Sequence, residues 1–268
     1  MTDIKTIFDE QGFVGPVKFL TPSDVNRYLQ KMKDAEDAYG LMNSDYRCKA
    51  NVLFSWINEL TKHPIIIEHV REILGENFSC WDVLVWNKKQ ESKEYVSWHQ
   101  DATYWNFLPK ERGLTVWVTL SGATKDMGCI QYIPGSHKNG QSKHHDVKAE
   151  GNLLMRGQTL DLPKPKNTHY AEAGSGTFLM HSPFMFHGSD NNKTNTPRVA
   201  LGLIYVATDA KPYSTYSPES TVLVSGTDTY NYMLHDPEPT GTFEYDVINW
   251  RKAYDRQHDN YYKISQLV

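Results

Sequence analysis

Hydrophobic and polar positions follow a helical repeat near the start of the chain. The run Thr21-Pro22-Ser23-Asp24 has the features of a helix start, with Thr21 as the N-cap and an acidic residue three positions later. Val25, Leu29 and Met32 follow at helical spacing. A second helix is predicted to begin at Pro64 and to end before Gly75. We therefore predict that residues 1–75 form a helical N-terminal support.

After Gly75 the pattern changes to short β-branched or aromatic runs, separated by clusters of Gly, Pro, Asn and Lys. Such runs are typical of strands, and several short strands at these intervals predict a sandwich or a double-sheet jelly roll, the fold of cupins. A closing helix is predicted over residues 245–264. The sequence therefore predicts one mainly β domain, residues 1–268, with flanking helices at both ends. The predicted strands are residues 78–86, 114–120, 129–133, 176–181 and 199–207.

Two long polar stretches interrupt this pattern. Residues 138–168 are rich in Lys, Gly, Asn and Pro, and residues 209–242 have a similar texture. Long loops of this kind are often functional lids. We predict that both stretches lie over one mouth of the barrel.

The strand pattern also places metal-binding residue types at two separated points. In Trp98-His99-Gln100-Asp101, residues two apart on an extended strand face the same side, so His99 and Asp101 are expected to share one face. A histidine from a distant strand, His187, would complete a facial triad of two histidines and one carboxylate. This triad leaves positions open and suits non-haem Fe(II).

A His-x-acid triplet is weak evidence alone, and the chain contains a second one. His144-His145-Asp146 has the same spacing, and Arg156 follows His145 by the interval that separates Arg198 from His187. The first triplet lies among aromatic residues and the second among polar ones. We therefore expect His144, His145 and Asp146 to lie on a solvated loop.

Arg198 opens a strong apolar strand after a turn-rich link from His187. A hairpin between the two strands would point both side chains into one cavity, where the guanidinium would bind a dicarboxylate cosubstrate. Two other polar residues are expected to be structural, because by alternation Gln100 points away from the metal and His137 orders a turn. His181, on the same strand as His187, is the main alternative ligand, but six residues and a proline separate the two, so joint ligation is not expected. Tyr104, Trp105 and Trp86 are either core residues or an aromatic wall around substrate.

Composition and charge limit the kinds of partner that the protein is expected to bind. The net charge of −4 argues against a general nucleic-acid or anionic-membrane surface, so a small molecule is the expected partner. The three cysteines cannot all pair, which favours a reducing compartment. The first residues lack the layout of a signal peptide, no apolar run reaches membrane-spanning length, and the last residues do not match a peroxisomal address. We expect a cytoplasmic protein, of undetermined oligomeric state.

Four blocks of sequence together resemble the phytanoyl-CoA dioxygenase family of Fe(II)- and 2-oxoglutarate-dependent oxygenases. The resemblance covers about residues 8–261 and extends over nearly the whole chain. One departure is the link Asp190-Asn191-Asn192, where Pro-Asn is commoner. The four blocks are residues 96–105, residues 115–118, residues 128–137, and His187-Gly188-Ser189 together with Arg198.

The resemblance implies a double-stranded β-helix with Fe(II) held by His99, Asp101 and His187. It further implies 2-oxoglutarate as cosubstrate, with its distal carboxylate on Arg198, Ser189 nearby, and O2 as the oxidant. Trp117 and Leu84 are implied to line the cosubstrate site. Relatives that halogenate have a small residue in place of the carboxylate. Because Asp101 is present, hydroxylation is expected.

The residues leave three functions open. The first is an oxygenase that hydroxylates a small polar metabolite, amino-acid-like, betaine-like or an aminophosphonate such as 2-aminoethylphosphonate, and releases succinate and CO2. A coenzyme A thioester would require a basic cleft, and the sequence shows no such cluster. The second is a cupin-like isomerase or hydrolase that uses Zn(II) or Mn(II) without oxygen chemistry. The third is a catalytically silent binding module.

Overall fold

The β-branched and aromatic runs after Gly75 form strands that pair into sheets. A computed structural model describes residues 3–147, 149–154, 157–160, 167–213 and 217–264. Short 3₁₀ turns connect several of the elements. The α-helices of these residues are α1 (Ile4–Gln11), α2 (Pro22–Tyr39), α3 (Ala50–Leu53), α4 (Ser55–Thr61), α5 (Pro64–Leu74) and α6 (Phe243–Ile264).

The strands of the described residues vary widely in length, and the long ones carry the most buried side chains. They are β1 (Phe13–Lys18), β2 (Phe78–Lys88), β3 (Val96–His99), β4 (Phe107–Leu108), β5 (Gly113–Thr119), β6 (Gln131–Tyr132), β7 (His145–Asp146), β8 (Gln158–Thr159), β9 (His169–Tyr170), β10 (Thr177–His181), β11 (His187–Ser189), β12 (Arg198–Ala207), β13 (Lys211–Pro212), β14 (Ser220–Ser225) and β15 (Leu234–His235).

By their contacts the residues form two compact units. The first unit comprises Met1–Leu29, Trp86–Thr103 and Trp117–Leu201. One sheet of this unit has the order β1-β10-β5-β12-β2, where β5, β12 and β2 contribute only the ends that belong to the unit. A second sheet has the order β3-β11-β6-β9. Its core is a cluster of buried residues that includes Trp117, Tyr132, Leu179 and Met185. Both sheets of this unit bear on the candidate site.

The second unit comprises Gln30–Val85, Tyr104–Val116 and Gly202–Val268. The remaining parts of β5, β12 and β2 are followed in its sheet by β14, which is antiparallel to β2, and by β15, which is parallel to β14. Its apolar cluster includes Trp81, Trp105 and Phe107. Helix α6 is fixed by fully buried Trp250, whose indole N–H donates to the Cys48 carbonyl over 2.8 Å.

The predicted helices are confirmed at three places. Helix α2 begins after Thr21, whose hydroxyl accepts a hydrogen bond from the Asp24 backbone N–H at 3.2 Å. Helix α5 ends before Gly75, which has a φ of 84°, and α6 is the predicted closing helix. The region 1–75 is not entirely helical, because β1 pairs with β10. Pro16 has no N–H to donate, so it is compatible with β1 only because β1 is an edge strand.

The two predicted lid stretches contain more regular structure than a loop. Within residues 138–168, β7 and β8 pair as a small antiparallel sheet, while Lys148, Met155, Arg156 and residues 161–166 lie outside the described residues. Within residues 209–242, β14 is a six-residue strand rather than loop, because Ser220–Ser225 carries the β-branched Thr221, Val222 and Val224. Residues 214–216 of that stretch also lie outside the description. A lid role for either stretch, and the single-domain assignment, stay predictions.

All three cysteines are free and buried, in agreement with the expected absence of a disulfide framework. Among the described residues, every helix is too short or too polar to cross a membrane.

Candidate metal centre

Three side chains of the first unit converge on one point. His99 is the last residue of β3 and His187 the first of β11, and the two are direct partners in the antiparallel pairing. Asp101 places its Oδ1 atom 3.5 Å from Nε2 of His99 and 3.5 Å from Nε2 of His187. One ligand atom from each residue lies within 4.8 Å of the others, so the three can hold one metal ion.

The reason for this convergence differs from the predicted one. Strand β3 ends at His99, and Asp101 starts a 3₁₀ turn, Asp101–Thr103. The two residues therefore do not share the face of one strand. The chain turns after His99, and this turn directs the carboxylate back toward the imidazoles.

Both imidazoles have one nitrogen fixed by the backbone. Nδ1 of His99 lies 2.8 Å from the Ser97 carbonyl oxygen, and Nδ1 of His187 lies 3.0 Å from the Met185 carbonyl oxygen. Because a carbonyl only accepts, each Nδ1 carries the proton in the neutral ring. Nε2 of each ring is then a lone-pair donor directed at the common point, which is the tautomer that a metal ligand requires.

The electrostatics of the cluster also match a metal site. Burial alone would raise the pKa of Asp101, but the surrounding His187, His181 and His99 side chains outweigh it and hold that pKa well below the usual range. Burial, together with His99, lowers the pKa of His187 well below its ordinary value. A neutral imidazole and an ionised carboxylate are the forms that bind metals.

His181 contacts the cluster but is not one of its three ligand positions. It ends β10, whereas His187 begins β11 in the other sheet, so the expectation that the two histidines share a strand is wrong. Nε2 of His181 lies 3.1 Å from Asp101 Oδ2, and Nδ1 lies 2.9 Å from the Tyr132 hydroxyl oxygen. Burial and the nearby Asp101 charge raise the pKa of Tyr132 well above its usual value, so the hydroxyl keeps its proton.

Arg198 is a buried cation without a carboxylate partner among the described residues. Its side chain is 1% exposed, one Nη1 N–H donates to the Gly128 carbonyl, and its Nε has no hydrogen-bond acceptor. The guanidinium lies 5.5 Å from the centroid of the Trp117 ring. Burial lowers its pKa to about 10, with the Cys129 thiol acting in the opposite direction. A buried guanidinium with an unused donor fits a carboxylate ligand.

Arg198 reaches this position by another route than the predicted hairpin. β11 pairs with β3 and β6, whereas β12 lies between β5 and β2 in the other sheet. Residues 190–197 therefore cross from one sheet to the other. Gly128 permits this crossing to be tight, because its φ is 68° and a Cβ there would overlap the Asp190 carbonyl oxygen.

A second buried cation, Lys88, was missed by sequence reasoning. Its Nζ donates to Ser189 Oγ over 2.7 Å and also to the Asp190 carbonyl. Burial, and then the charge of Arg198, lowers the pKa of Lys88 to about 6. Strand alternation is the sequence signal that could have identified it, since Lys88 lies two residues after Trp86 on β2. The predicted strand ends at Trp86, so Lys88 falls in the boundary that follows it.

The other predicted cosubstrate residues occupy different surroundings. Trp117 packs in the first unit with Trp86, at a ring-centroid distance of 5.9 Å. Leu84 belongs to the second unit, where it packs against the cluster of Trp81 and Trp105. The roles of Leu84, Trp117 and Ser189 toward 2-oxoglutarate stay predictions.

Two residues of the predicted aromatic wall pack within the second unit. Trp105 is 2% exposed in the apolar cluster of that unit. Tyr104 is half-buried against the same cluster and stacks on Tyr261 with ring centroids 5.7 Å apart. A contact of Tyr104 or Trp105 with substrate stays a prediction.

The residues expected to be structural behave as predicted. The Gln100 amide donates to the carbonyls of Gly140 and Phe184, each at 2.8 Å, and so ties the residue before Asp101 to two loops. His137 Nε2 lies 3.1 Å from the Asp9 carbonyl oxygen. The second triplet is only partly as expected: His145 and Asp146 are exposed but form β7. His144 is half-buried, and its Nε2 accepts from the Gln100 backbone N–H at 3.0 Å, so the solvated-loop prediction is wrong for this residue. Arg156 lies outside the described residues.

A cavity of about 300 Å³ in the first unit is separate from the triad. It is lined by Trp98 and Gln131 among others. Gln131 pairs with Gly188, whereas Tyr132 pairs with His187, so Gln131 and His187 point to opposite faces of the sheet. The three candidate ligands do not line this cavity, but Ser189, two residues after His187 on β11, does.

The fold is that of the non-haem oxygenases. The non-haem monooxygenase ThoJ in its apo form has a TM-score of 0.88, at 24% identity, over 99% of this chain and 100% of that one. EctD from S. alaskensis with 2-oxoglutarate and 5-hydroxyectoine has a TM-score of 0.65, at 17% identity, over 87% and 86% of the two chains. At these identities the similarity shows the fold, a mainly β double-stranded β-helix with flanking helices.

Sequence comparison identifies the family. The sequence model described as phytanoyl-CoA dioxygenase (PhyH) matches residues 8–200. The chain therefore belongs to the phytanoyl-CoA dioxygenase family of Fe(II)- and 2-oxoglutarate-dependent oxygenases, which confirms the resemblance in its sequence.

This chain matches only part of the length of two related phytanoyl-CoA dioxygenases. A probable phytanoyl-CoA dioxygenase of Caenorhabditis elegans is 27% identical over 213 residues, which is 76% of this chain and 66% of the relative. The peroxisomal phytanoyl-CoA dioxygenase of Rattus norvegicus is 29% identical over 154 residues, or 55% of this chain and 45% of the relative. The chain thus spans less than two thirds of the length of these relatives.

The lowered pKa of Lys88 predicts a pH dependence of stability. In the unfolded chain this lysine has its ordinary pKa near 10.5, whereas in the fold the value is about 6. Between these values the unfolded chain binds more protons, so the free energy of unfolding should rise with pH. In this pH window, we expect the free energy of unfolding of the metal-free wild type to rise by up to about 1.4 kcal/mol per pH unit relative to that of Lys88→Met.

The measurement is urea unfolding of both proteins in EDTA at pH values from 6.5 to 9. Gln30→Met, an exposed change between neutral side chains, is the control and should track the wild type. A difference between wild type and Lys88→Met that stays constant with pH would contradict the prediction.

Proposed function

We propose that this chain is an Fe(II)- and 2-oxoglutarate-dependent dioxygenase that hydroxylates a C–H bond of a small polar metabolite. The observation that carries the proposal is the pairing of two features within one unit. One is a two-histidine, one-carboxylate cluster in which a ligand atom of each residue lies within 4.8 Å of the others and Nδ1 of each imidazole contacts a backbone carbonyl. The other is the buried guanidinium of Arg198, whose Nε has no hydrogen-bond partner among the described residues. An isomerase or hydrolase on the same triad would have no use for Arg198.

His99, Asp101 and His187 would hold Fe(II) on one face and leave three positions open. When bound, Fe(II), 2-oxoglutarate and O2 supply the oxidising chemistry, in which 2-oxoglutarate becomes succinate and CO2 while the substrate C–H bond is hydroxylated. The protein supplies the orientation of these groups and the exclusion of water.

Arg198 would bind the C5 carboxylate of 2-oxoglutarate through paired charge-assisted hydrogen bonds. Two features support this role. The Trp117 ring lies against the guanidinium and limits its movement, and the hydrogen bond from Nη1 to Gly128 leaves Nε without an acceptor. Ser189 lies two residues after His187 on β11, and its hydroxyl is already oriented by Lys88. Ser189 and Lys88 would therefore add donors beside the same carboxylate.

The proposed substrate class follows from charge. The relatives' names specify phytanoyl-CoA, and a coenzyme A thioester brings several phosphate charges that require a basic cleft. This chain has a net charge of −4. We therefore propose an amino-acid-like, betaine-like or aminophosphonate substrate, such as 2-aminoethylphosphonate. We also propose that the protein acts on small molecules in the cytoplasm and has no nucleic-acid or membrane partner.

The metal and cosubstrate assignment is tested by anaerobic titration of the protein with Fe(II) and 2-oxoglutarate. Wild type should give the weak visible charge-transfer band of a chelated 2-oxoglutarate. His99→Ala and Asp101→Ala should lose the band, whereas His145→Ala, at an exposed position of the second triplet, should retain it. Arg198→Leu should retain metal binding, but its affinity for 2-oxoglutarate should fall by about 100-fold, because two hydrogen bonds to a charged group are lost.

Arg27→Leu, which removes a surface arginine paired with Asp24, serves as the control for Arg198→Leu. The outcomes separate the alternative functions. Activity that survives Arg198→Glu with Zn(II) or Mn(II) would favour the isomerase or hydrolase. Wild type without a band and without succinate release would favour the silent module.

The substrate class is tested by succinate release from the Fe(II)-loaded enzyme. We expect stimulation above the basal rate by at least one small amino-acid-like, betaine-like or aminophosphonate compound, and none by acyl-CoA thioesters. Mass spectrometry should show one added oxygen in the product. Stimulation by acyl-CoA alone would refute the proposed substrate class while leaving the reaction class in place.

A further inference from the structure

The two carboxylate oxygens of Asp101 have different partners. Oδ1 faces the Nε2 atoms of His99 and His187, each at 3.5 Å, and is the oxygen directed at the metal position. Oδ2 lies 3.1 Å from Nε2 of His181. The carboxylate is therefore divided between a metal side and a protein side.

The partner on the protein side is itself fixed. His181 ends β10 with its side chain 1% exposed, and its Nδ1 lies 2.9 Å from the hydroxyl oxygen of Tyr132, which is fully buried on β6. A carboxylate only accepts, so His181 Nε2 carries the proton. Nδ1 of the neutral ring then accepts, and the Tyr132 hydroxyl donates to it. The Tyr132 hydroxyl, both His181 nitrogens and Asp101 Oδ2 thus form two hydrogen bonds, each with a donor matched to an acceptor.

Packing leaves His181 little freedom to leave this position. Its ring lies 4.7 Å from the His187 ring and 5.4 Å from the Tyr132 ring, centroid to centroid. Both of its nitrogens are engaged, one by Asp101 and one by Tyr132. His181 is therefore not a fourth ligand.

The number of metal bonds made by Asp101 matters for the proposed function, on which this inference rests. A carboxylate with two free oxygens binds metals through one or both of them. A facial triad has three open positions, and 2-oxoglutarate takes two of them. A second bond from Asp101 would occupy the third position, which O2 requires.

We propose that His181, oriented by Tyr132, is a positioning residue that limits Asp101 to one metal bond through Oδ1 and so keeps the third position open. His181 does this by holding Oδ2 in a hydrogen bond. The role is exerted through Asp101 and involves no contact of His181 with substrate or cosubstrate.

The first test uses Zn(II), which binds the site without turnover. With isotopically labelled aspartate, the Zn(II)-loaded minus metal-free infrared spectrum reports how Asp101 binds, because the separation of the two carboxylate stretches is larger for one metal–oxygen bond than for two. Wild type should show the large separation. His181→Phe, which keeps a ring but removes both hydrogen bonds, should show the small separation.

The same variant should bind 2-oxoglutarate at least tenfold more weakly when loaded with Zn(II), because the second oxygen of Asp101 competes for a chelating position. His181→Gln, which retains an amide donor for Oδ2, should restore both the large separation and the affinity. His137→Phe, which removes a histidine hydrogen-bonded to Asp9 and remote from Asp101, is the control and should match wild type. A merely structural role for His181 would leave the infrared separation unchanged.

A second measurement needs no variant and decides the matter if His181→Phe does not fold. Nitrogen-15 NMR of labelled histidines in the Zn(II)-loaded wild type should show His181 as the Nε2–H tautomer, with Nδ1 as acceptor and no metal shift. A protonated Nδ1, or a metal-bound His181, would overturn the inference. So would His181→Phe with the large infrared separation and unaltered 2-oxoglutarate affinity.

These outcomes are distinguishable from failure of the proposed function. If wild type shows the large separation but does not bind 2-oxoglutarate, the oxygenase proposal fails, and the inferred purpose of the open position fails with it. If wild type binds 2-oxoglutarate and releases succinate while His181→Phe is indistinguishable from it in both readouts, only the role of His181 is refuted.

Discussion

The candidate site depends on one carboxylate, Asp101, that is enclosed by three imidazoles. Only 17% of its side chain is exposed, so its charge needs the N–H of His181 and any metal that His99 and His187 help to hold. Each hydrogen bond to such a charged group is worth about 1.5–3 kcal/mol. This requirement explains why both sheets of the first unit contribute: β3 and β11 bring the two candidate ligands, and β10 brings the histidine behind the carboxylate.

A complementary constraint applies to Arg198 and Lys88. Both cations are buried, burial lowers the pKa of each, and neither has a carboxylate from the described chain at hydrogen-bond distance. Their charges are unfavourable in isolation but would be compensated by an anionic ligand. The first unit thus combines a cluster of metal-binding side chains with buried basic side chains that can donate hydrogen bonds to an anion. A chelating keto acid with a distal carboxylate has the complementary groups.

The sequence predicted which residues belong together but not how the chain brings them together. His99, Asp101 and His187 were identified from residue type, spacing and family resemblance, and they converge. The predicted reasons differed, because Asp101 lies on a turn rather than a strand, and Arg198 lies in the other sheet rather than across a hairpin from His187. Local alternation does not reveal where a strand stops or which sheet it joins.

Two residues show what spacing alone leaves out. His181 was expected on the strand of His187, yet it approaches Asp101 from another sheet, and only the tertiary pairing reveals this. Lys88 was not identified because the predicted strand ended at Trp86, whereas in the structure β2 continues and Ser189 and the Asp190 carbonyl accept from Lys88 in the interior. In contrast, the long strands β2, β5, β10 and β12, the closing helix and the family followed directly from the hydrophobic pattern and the four sequence blocks.

The most direct test of the central claim is a crystal structure of the protein grown anaerobically with Fe(II) and 2-oxoglutarate, with anomalous data collected at the iron edge. We expect a single iron peak within bonding distance of His99 Nε2, Asp101 Oδ1 and His187 Nε2. We also expect the distal carboxylate of 2-oxoglutarate to lie on the Arg198 guanidinium. Iron bound elsewhere, or 2-oxoglutarate with its distal carboxylate away from Arg198, would contradict it.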